Sequence, residues 1–256
     1  MQDEVTALVL TFNEAPNIER TLRQLTWVKQ ILIVDSFSSD GTVDLAKAVI
    51  QDAVILQRKF DTHTDQWNFG LSRVTTPWVL SLDADYVLTP ELISEIAELN
   101  PAADVEGYRA TFRYCIQGRP LRASVYPPRV VLFRRDRAVY REDGHTQLLQ
   151  LDGTVASLRG RIDHDDRKPF SDWLQAQGRY SKIEAKHLLS QSLENLNAPD
   201  RLRRKIFFAA PAMFLYLLFG RGLILDGWPG WFYVCQRTIA ELLLSIRLIM
   251  EREKLG

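Results

Sequence analysis

The sequence predicts an α/β protein with a C-terminal helical extension, and two observations carry that prediction. The first half alternates short, almost wholly apolar runs with amphipathic stretches, the pattern of parallel strands buried on both faces and joined by covering helices. From Phe170 onward the strand-like runs stop and helical periodicity takes over.

In chain order, Val5 to Thr11 is a β-rich run. Pro16 is expected to open a helix at its first turn, where a missing N–H costs nothing, with Ile18, Leu22 and Leu25 on the buried face. Ile31 to Val34 is a second strand ending at Asp35, and Ser36 to Gly41 is a polar loop rich in capping residues. Val43, Ala46 and Ile50 mark the next helix, Ala53 to Leu56 a short third strand, and Trp67, Leu71 and Val74 another helix. Trp78 to Leu82 is a buried strand that runs into Asp83, and Pro90 to Leu99 is a helix with Leu92, Ile96 and Leu99 inward. Between Gly107 and about Leu158 short β-like runs alternate with Gly, Pro and Arg, which predicts hairpins or mixed-sheet strands.

Beyond Phe170, the residues Phe170, Trp173, Leu174, Tyr180, Ile183 and Leu188 fall on one broad helical face. A polar linker at Asn195 to Pro199 leads to the apolar run from Ile206 to Phe219, which Pro211 interrupts. That run is shorter than the ~20 residues a membrane-spanning helix needs. A final helix is expected from Trp228 to Met250. The boundary between the α/β part and the helical part falls at residues 166 and 167.

Composition narrows the partners. Lys plus Arg (32) equals Asp plus Glu (32), so no global field favours nucleic acid. Locally, Arg201-Leu202-Arg203-Arg204-Lys205 is a basic cluster beside an apolar stretch with Phe207, Phe208, Phe214, Trp228 and Trp231. That pairing suits peripheral contact with an anionic inner leaflet. Packing on the α/β part, or on a second subunit in a homo-oligomer, is the alternative. Cys115 and Cys235 are far apart with no metal-type spacing, and no signal-peptide pattern is seen, so a cytoplasmic protein with reduced thiols is expected.

The chemistry gathers at predicted strand ends. Asp83-Ala84-Asp85 places two carboxylates at the carboxyl end of a strand, where ligand crevices of open α/β sheets lie. Hard cations such as Mg2+ or Mn2+ take oxygen ligands of this kind together with substrate phosphates. Asp35 stands at the same edge and can accept from a base N–H or a ribose hydroxyl, or can cap a turn. Thr11, Asn13 and Glu14 leave the first strand there, and Asn13 and Glu14 can bind a nucleoside or cap the Pro16 helix. Asn68 and Arg73 can bring donors to a diphosphate, or lie on a solvated helix face. Glu142 and Asp143, in an expected loop from Arg141 to His145, are candidates for a general base or for a surface turn. His164, flanked by Asp163, Asp165 and Asp166, can complete a metal site begun by Asp85, or form a surface pair; His63 and His187 are given no role.

Leu8 to Glu14, Ile33 to Thr42, Gln66 to Gly70 and Leu82 to Asp85, in this order and spacing, resemble a family 2 glycosyltransferase of GT-A fold, a Rossmann-like nucleotide-binding mixed sheet flanked by helices. Val131 to Arg135, Gly144-His145, Ile162 to His164 and Leu225 to Trp228 resemble a bacterial subgroup that includes lipopolysaccharide core β-glucosyltransferases. The resemblance implies a nucleotide-sugar donor, most often a UDP-sugar, transferred with inversion to a glycan or lipid-linked acceptor. It implies that residues 1–99 bind the donor and 100–166 face the acceptor. By position, Asp35 would bind the base, Asp83 the ribose or metal, and Asp85 the metal, with Asp143 or Glu142 as the base. The chain departs from the subgroup in two places. Tyr86 stands where an acid usually follows the second aspartate, and Thr146 where Glu usually follows the histidine. Those departures leave a second reading, an inactive glycosyltransferase-like scaffold that binds a sugar nucleotide or lipid. A nucleotidyltransferase would need a Gly-rich, Lys-bearing phosphate loop after the first strand, and Thr11 to Pro16 is not one.

Overall fold

The computed structural model describes residues 1–143 and 146–254, apart from the side chains of Asp143 and Thr146. It forms two compact units, Met1–Gly118 with Val125–Arg167, and Arg119–Ser124 with Lys168–Gly256.

The first unit begins β1 (Val5–Thr11), α1 (Ile18–Arg23), β2 (Gln30–Asp35), α2 (Thr42–Val49), β3 (Val54–Gln57), α3 (His63–Arg73) and β4 (Trp78–Asp83). These strands are parallel, in the order β3-β2-β1-β4. Successive β1 residues serve opposite faces, as strand geometry requires. Ala7 and Val9 join Ile18, Leu22 and Ala46 of α1 and α2 on one face, and Leu8 joins Trp67 and Leu71 of α3 on the other. Both faces are therefore covered over β1, β2 and β4, which is why these three read as unbroken apolar runs, while the edge strand β3 is only partly buried.

The rest of the first unit is β5 (Tyr86–Leu88), α4 (Pro90–Glu98), β6 (Val105–Ile116), β8 (Arg129–Arg134), β9 (Ala138–Asp143), β10 (Thr146–Leu151) and β11 (Thr154–His164); the two-residue β7 (Arg119–Pro120) belongs to the second unit. The sheet continues from β4 through β8, β6 and β11 to β5. β8 is antiparallel to both β4 and β6, and β11 is parallel to β6, so the sheet is mixed as expected. α4 crosses β11 at Gly160, where an added Cβ would lie 2.5 Å from Leu92 Cα; only glycine allows that approach.

Three local expectations need correction. α1 starts at Ile18 instead of Pro16, because Asn17 and Ile18 first close a turn onto the Glu14 carbonyl. The segment expected as a loop from Arg141 is strand as far as Asp143. Ala138 and Tyr140 pack on α3 beside Leu149 and Leu151, which draws β9 into an antiparallel pair with β10. The β-rich region expected to end near Leu158 runs on to His164 as β11, held by β6 on one side and β5 on the other.

The second unit contains α5 (Phe170–Ser190), α6 (Ala198–Arg203), α7 (Ala209–Leu215), a π-helical turn (Tyr216–Gly220) and α8 (Trp228–Glu253). Pro211 is accommodated in the first turn of α7, where its missing N–H has no helical partner to lose. Ala185, Leu188, Leu196, Ile206, Leu244 and Leu248 form its core. Of the broad apolar face of α5, Leu188 is buried while Phe170, Leu174 and Ile183 are exposed. The basic cluster is split by function. Arg203 is drawn inward to buried Glu241, Nη2 to Oε1 at 2.7 Å, and pairs with Asp200 at 2.9 Å. No helix among the described residues is long and apolar enough to cross a membrane.

Candidate active site

Strand register assembles the site. Thr11 is opposite Asp35 and Leu10 is opposite Asp83, so the carboxyl ends of β1, β2 and β4 lie side by side. Asp35 is fully buried and saturated with donors: Thr11 Oγ1 donates to Oδ1 at 2.9 Å, the Ser38 backbone N–H to Oδ2 at 2.9 Å, and the Ser38 hydroxyl to Oδ1. A buried carboxylate needs such compensation. Here it also fixes the 36–41 loop against β1.

Asn13 and Glu14 continue that bracing. Asn13 sits in the left-handed region (φ 53), its N–H donating to Ser38 Oγ and its Oδ1 accepting from Ser39 N–H, both at 2.9 Å. The Glu14 N–H donates to Thr42 Oγ1 at 2.7 Å, and Glu14 Oε2 accepts from Asn17 Nδ2 at 2.8 Å. The Glu14 carboxylate thus supports the buried Asn17 at the head of α1.

β4 ends at Asp83, and the turn through Ala84 and Asp85 is held from two sides. Thr21 Oγ1 donates to the Ala84 carbonyl at 2.6 Å, and the Asp165 N–H to the Asp85 carbonyl at 3.1 Å. The antiparallel pairing of β5 and β11 sets His164 opposite Tyr86. His164 Nε2 reaches Asp85 Oδ2 at 3.0 Å, and its ring lies among those of Tyr86, Tyr114 and Tyr126, at centroid distances of 5.3, 4.7 and 4.7 Å. Burial opposes a charge on His164, but Asp85, Asp83 and Asp166 outweigh it and hold the imidazole above its ordinary pKa. Its Nδ1 is buried without a hydrogen-bond partner, so Nε2 is the nitrogen engaged with the acidic turn.

Tyr86, at the position of the expected acid, joins hydroxyls with Tyr126. Burial, then the Asp83 charge, pushes both phenols up, so both are neutral donors or acceptors beside the two aspartates.

Several neighbours carry no motif. Asp83 acts electrostatically on His63 at the start of α3 and on Arg129 at the start of β8. Arg129 stacks over Tyr126 at 5.0 Å. Burial opposes its charge, but Tyr86, Tyr126 and Asp83 more than offset that and raise its pKa. Burial pushes His63 down, which Asp83 only partly opposes and Arg129 reinforces. These residues meet Asp83 only through tertiary folding, and no sequence spacing links them to it.

Asn68 and Arg73 do not join this group. Asn68 is spent on the Tyr140 backbone, with Nδ2 donating to its carbonyl and Oδ1 accepting from its N–H, each at 2.9 Å. Arg73 ends α3 on the approach to the amino end of β4, away from Asp83, and lies over Phe69 at 5.1 Å. Glu142 is exposed on β9, opposite Gln147. The Asp143 carboxylate and Gly144-His145 lie outside the described residues. Among the described residues no group of three or more His, Cys, Asp or Glu side chains is placed to hold a metal ion. At the acidic turn the side chain of His164 is in contact, its Nε2 facing Asp85 Oδ2 at 3.0 Å.

Comparison with known proteins agrees with this geometry. Residues 6–149 match the model of "Glycosyl transferase family 2". The lipopolysaccharide core biosynthesis glycosyltransferase LpsC of Rhizobium meliloti (strain 1021) is 26% identical over 95% of this chain and 91% of its own length. An uncharacterized glycosyltransferase of Rickettsia felis is 29% identical, over 42% of this chain and 38% of its own. Among solved structures, the mannosyltransferase PcManGT from Pyrobaculum calidifontis, in complex with GDP-Man and Mn2+, superposes with a TM-score of 0.56 over 97% of this chain and 88% of that one. At 13% identity that likeness speaks for the fold alone. The mixed sheet is the GT-A fold, and because the family match spans more than half of the 256 residues, the chain belongs to glycosyl transferase family 2.

Proposed function

We propose that this glycosyltransferase moves a sugar from a nucleotide-sugar, a UDP-sugar first among them, to a hydroxyl of a cell-envelope glycan or glycolipid such as lipopolysaccharide core, with inversion at the anomeric carbon. The observation that carries the reading is the meeting of Asp35, Asp83 and the Asp85–His164 pair at one carboxyl edge of the sheet. The acceptor class is taken from the relatedness to LpsC over nearly the whole chain.

In this mechanism the Asp35 loop receives the nucleoside, and Asp83 serves the ribose or a cation. Asp85, with Asp83 and His164, would hold Mg2+ or Mn2+; the two carboxylates at the end of β4 are the oxygen ligands a hard cation takes, and His164 lies 3.0 Å from Asp85, which it would have to release to ligate the ion. Such an ion supplies charge stabilisation to a departing diphosphate. Arg129 is a further cation at this edge, paired electrostatically with Asp83 and available to an anionic leaving group. Asp143 or Glu142, on the β9–β10 hairpin that Asn68 anchors to α3, takes the acceptor proton. A base positioned there contributes roughly 10²–10⁴-fold. The exposed aromatic and basic residues of the helical unit bring the enzyme to the inner face of the membrane from the cytoplasmic side.

Calorimetric titration with UDP, GDP, CDP and ADP, each with and without Mn2+, tests the donor assignment. Binding of UDP that requires Mn2+ is expected. Metal-dependent binding of another nucleotide would move the donor class, and no binding by folded protein would overturn the reading in favour of a scaffold.

A further inference from the structure

Within the helical unit a cavity of about 540 Å³ is lined by Leu193, Glu194, Arg201, Arg204, Lys205 and Arg252. Four of these six side chains are cationic and one is anionic. Three are fixed in place by main-chain carbonyls. Arg201 Nε donates to Leu196 O at 2.7 Å, Arg204 Nη1 to Gln191 O at 2.9 Å, and Arg252 Nη2 to Arg204 O at 2.7 Å. A guanidinium held by one or two of its five N–H groups keeps the others for a ligand. Among the described residues none of the four cations is ion-paired with a carboxylate, in contrast to Arg203 beside them, which pairs with Glu241 and Asp200. Four cations gathered with a single carboxylate, Glu194, repel one another, and a bound anion relieves that cost. The fork of arginine donors suits phosphate oxygens.

A second observation places the cavity beside an apolar surface. Ile206 is buried and in the left-handed region (φ 64), a conformation that is sterically costly for a β-branched residue and persists only where its surroundings enforce it. It is held by the core of the unit and by Ser245 Oγ, which donates to its carbonyl at 3.0 Å. With Ile206 turned inward, Lys205 on one side and Phe207 on the other are both left in solvent, Phe207 at 78% exposure and Phe208 at 58%. Unpaired cations next to uncovered aromatic rings match the boundary between headgroups and acyl chains.

We propose that this cavity is a binding site for the phosphate of an anionic membrane lipid, with Phe207 and Phe208 entering the acyl boundary beside it. The proposal rests on the membrane-contact part of the function given above and assigns that contact to named residues.

Flotation of the full-length protein with phosphatidylglycerol vesicles and with phosphatidylcholine vesicles, at constant ionic strength, tests it. The wild type should float with the first and not the second. Lys205→Glu should weaken flotation roughly tenfold or more, from the loss of one attraction and the gain of one repulsion. Lys205→Arg should float as the wild type does. Lys205 is exposed, so near-native melting of both variants is expected. If Lys205→Glu floats like the wild type, the cavity assignment falls while membrane contact stands. If the wild type floats with neither vesicle, both fall. If millimolar inorganic phosphate, balanced against chloride, binds the wild type and not Lys205→Glu yet leaves flotation of the wild type unchanged, the cavity takes free phosphate and the lipid assignment is overturned.

Discussion

His164 Nε2 and Asp85 Oδ2 stand 3.0 Å apart although 79 residues separate them in the chain. The contact follows from backbone pairing. β5 begins one residue after Asp85 and runs antiparallel to β11, with Tyr86 opposite His164. The tyrosines around the imidazole leave it little freedom to turn, and its Nδ1 has no competing partner.

Removing either side of that contact should separate metal binding from folding. Asp85→Ala is expected to abolish the metal-dependent part of donor binding. His164→Gln should weaken it by about tenfold to hundredfold, the range typical of residues that orient a metal ligand. Titrating Mn2+ into protein saturated with UDP reads both effects, and EDTA should suppress turnover of the wild type reversibly. Unchanged Mn2+ dependence in Asp85→Ala would remove the aspartate from the cation site.

The proton acceptor can be assigned by comparing neighbours. Asp143→Asn should lower kcat by about 10²–10⁴-fold with donor affinity retained, while Glu142→Gln has a small effect. The reverse pattern would place the base at Glu142, whose exposed position on β9 is open to an acceptor. Equal, small effects would take the base off this hairpin.

Strands β1, β2 and β4 were legible because they are buried on both faces, and the helices between them because each carries one apolar stripe; β3, at the sheet's edge, is only partly buried and was read from its short apolar run. Asp83 and Asp85 were legible because a strand must deliver them to its end. Residues contributed across the sheet were hidden. Arg129 and Tyr126 reach Asp83 from the antiparallel part, where β8 pairs with β4, and nothing in their spacing announces that pairing. Asn68, expected to bring donors to a diphosphate, bonds the backbone of Tyr140. A side-chain amide fits a backbone N–H and C=O as well as it fits a ligand, and sequence pattern cannot separate the two uses. The β9 strand was missed for a related reason: its burial depends on α3 and β10 and on no stripe of its own.

The two cysteines should differ sharply in reactivity. Burial, reinforced by the nearby Asp163 and Asp165 charges, pushes the Cys115 thiol up to about 12, whereas Cys235 is exposed. Only the thiolate attacks an electrophile, so at pH 8 Cys115 is protonated as well as inaccessible. Titration with a thiol-specific disulfide reagent should label Cys235 rapidly and Cys115 only after denaturation. Fast labelling of both in the folded protein would contradict the burial of β6 around Cys115.

The Arg203–Glu241 pair predicts an asymmetric stability effect. Glu241 is 3% exposed and Arg203 24%, so neither charge is well hydrated once its partner is lost. Glu241→Leu should lower stability by about 3 kcal/mol, roughly 6–12 °C in Tm for a chain of this size. Arg203→Met in the Glu241→Leu background should recover much of that loss, since apolar replacement of a whole buried pair is close to neutral. Full recovery is not expected, because Asp200 at 2.9 Å would lose its cation as well. Thermal melts of the two single variants and the double variant close the cycle. Additive losses would mean that the pair is solvated and contributes little to holding α6 against α8.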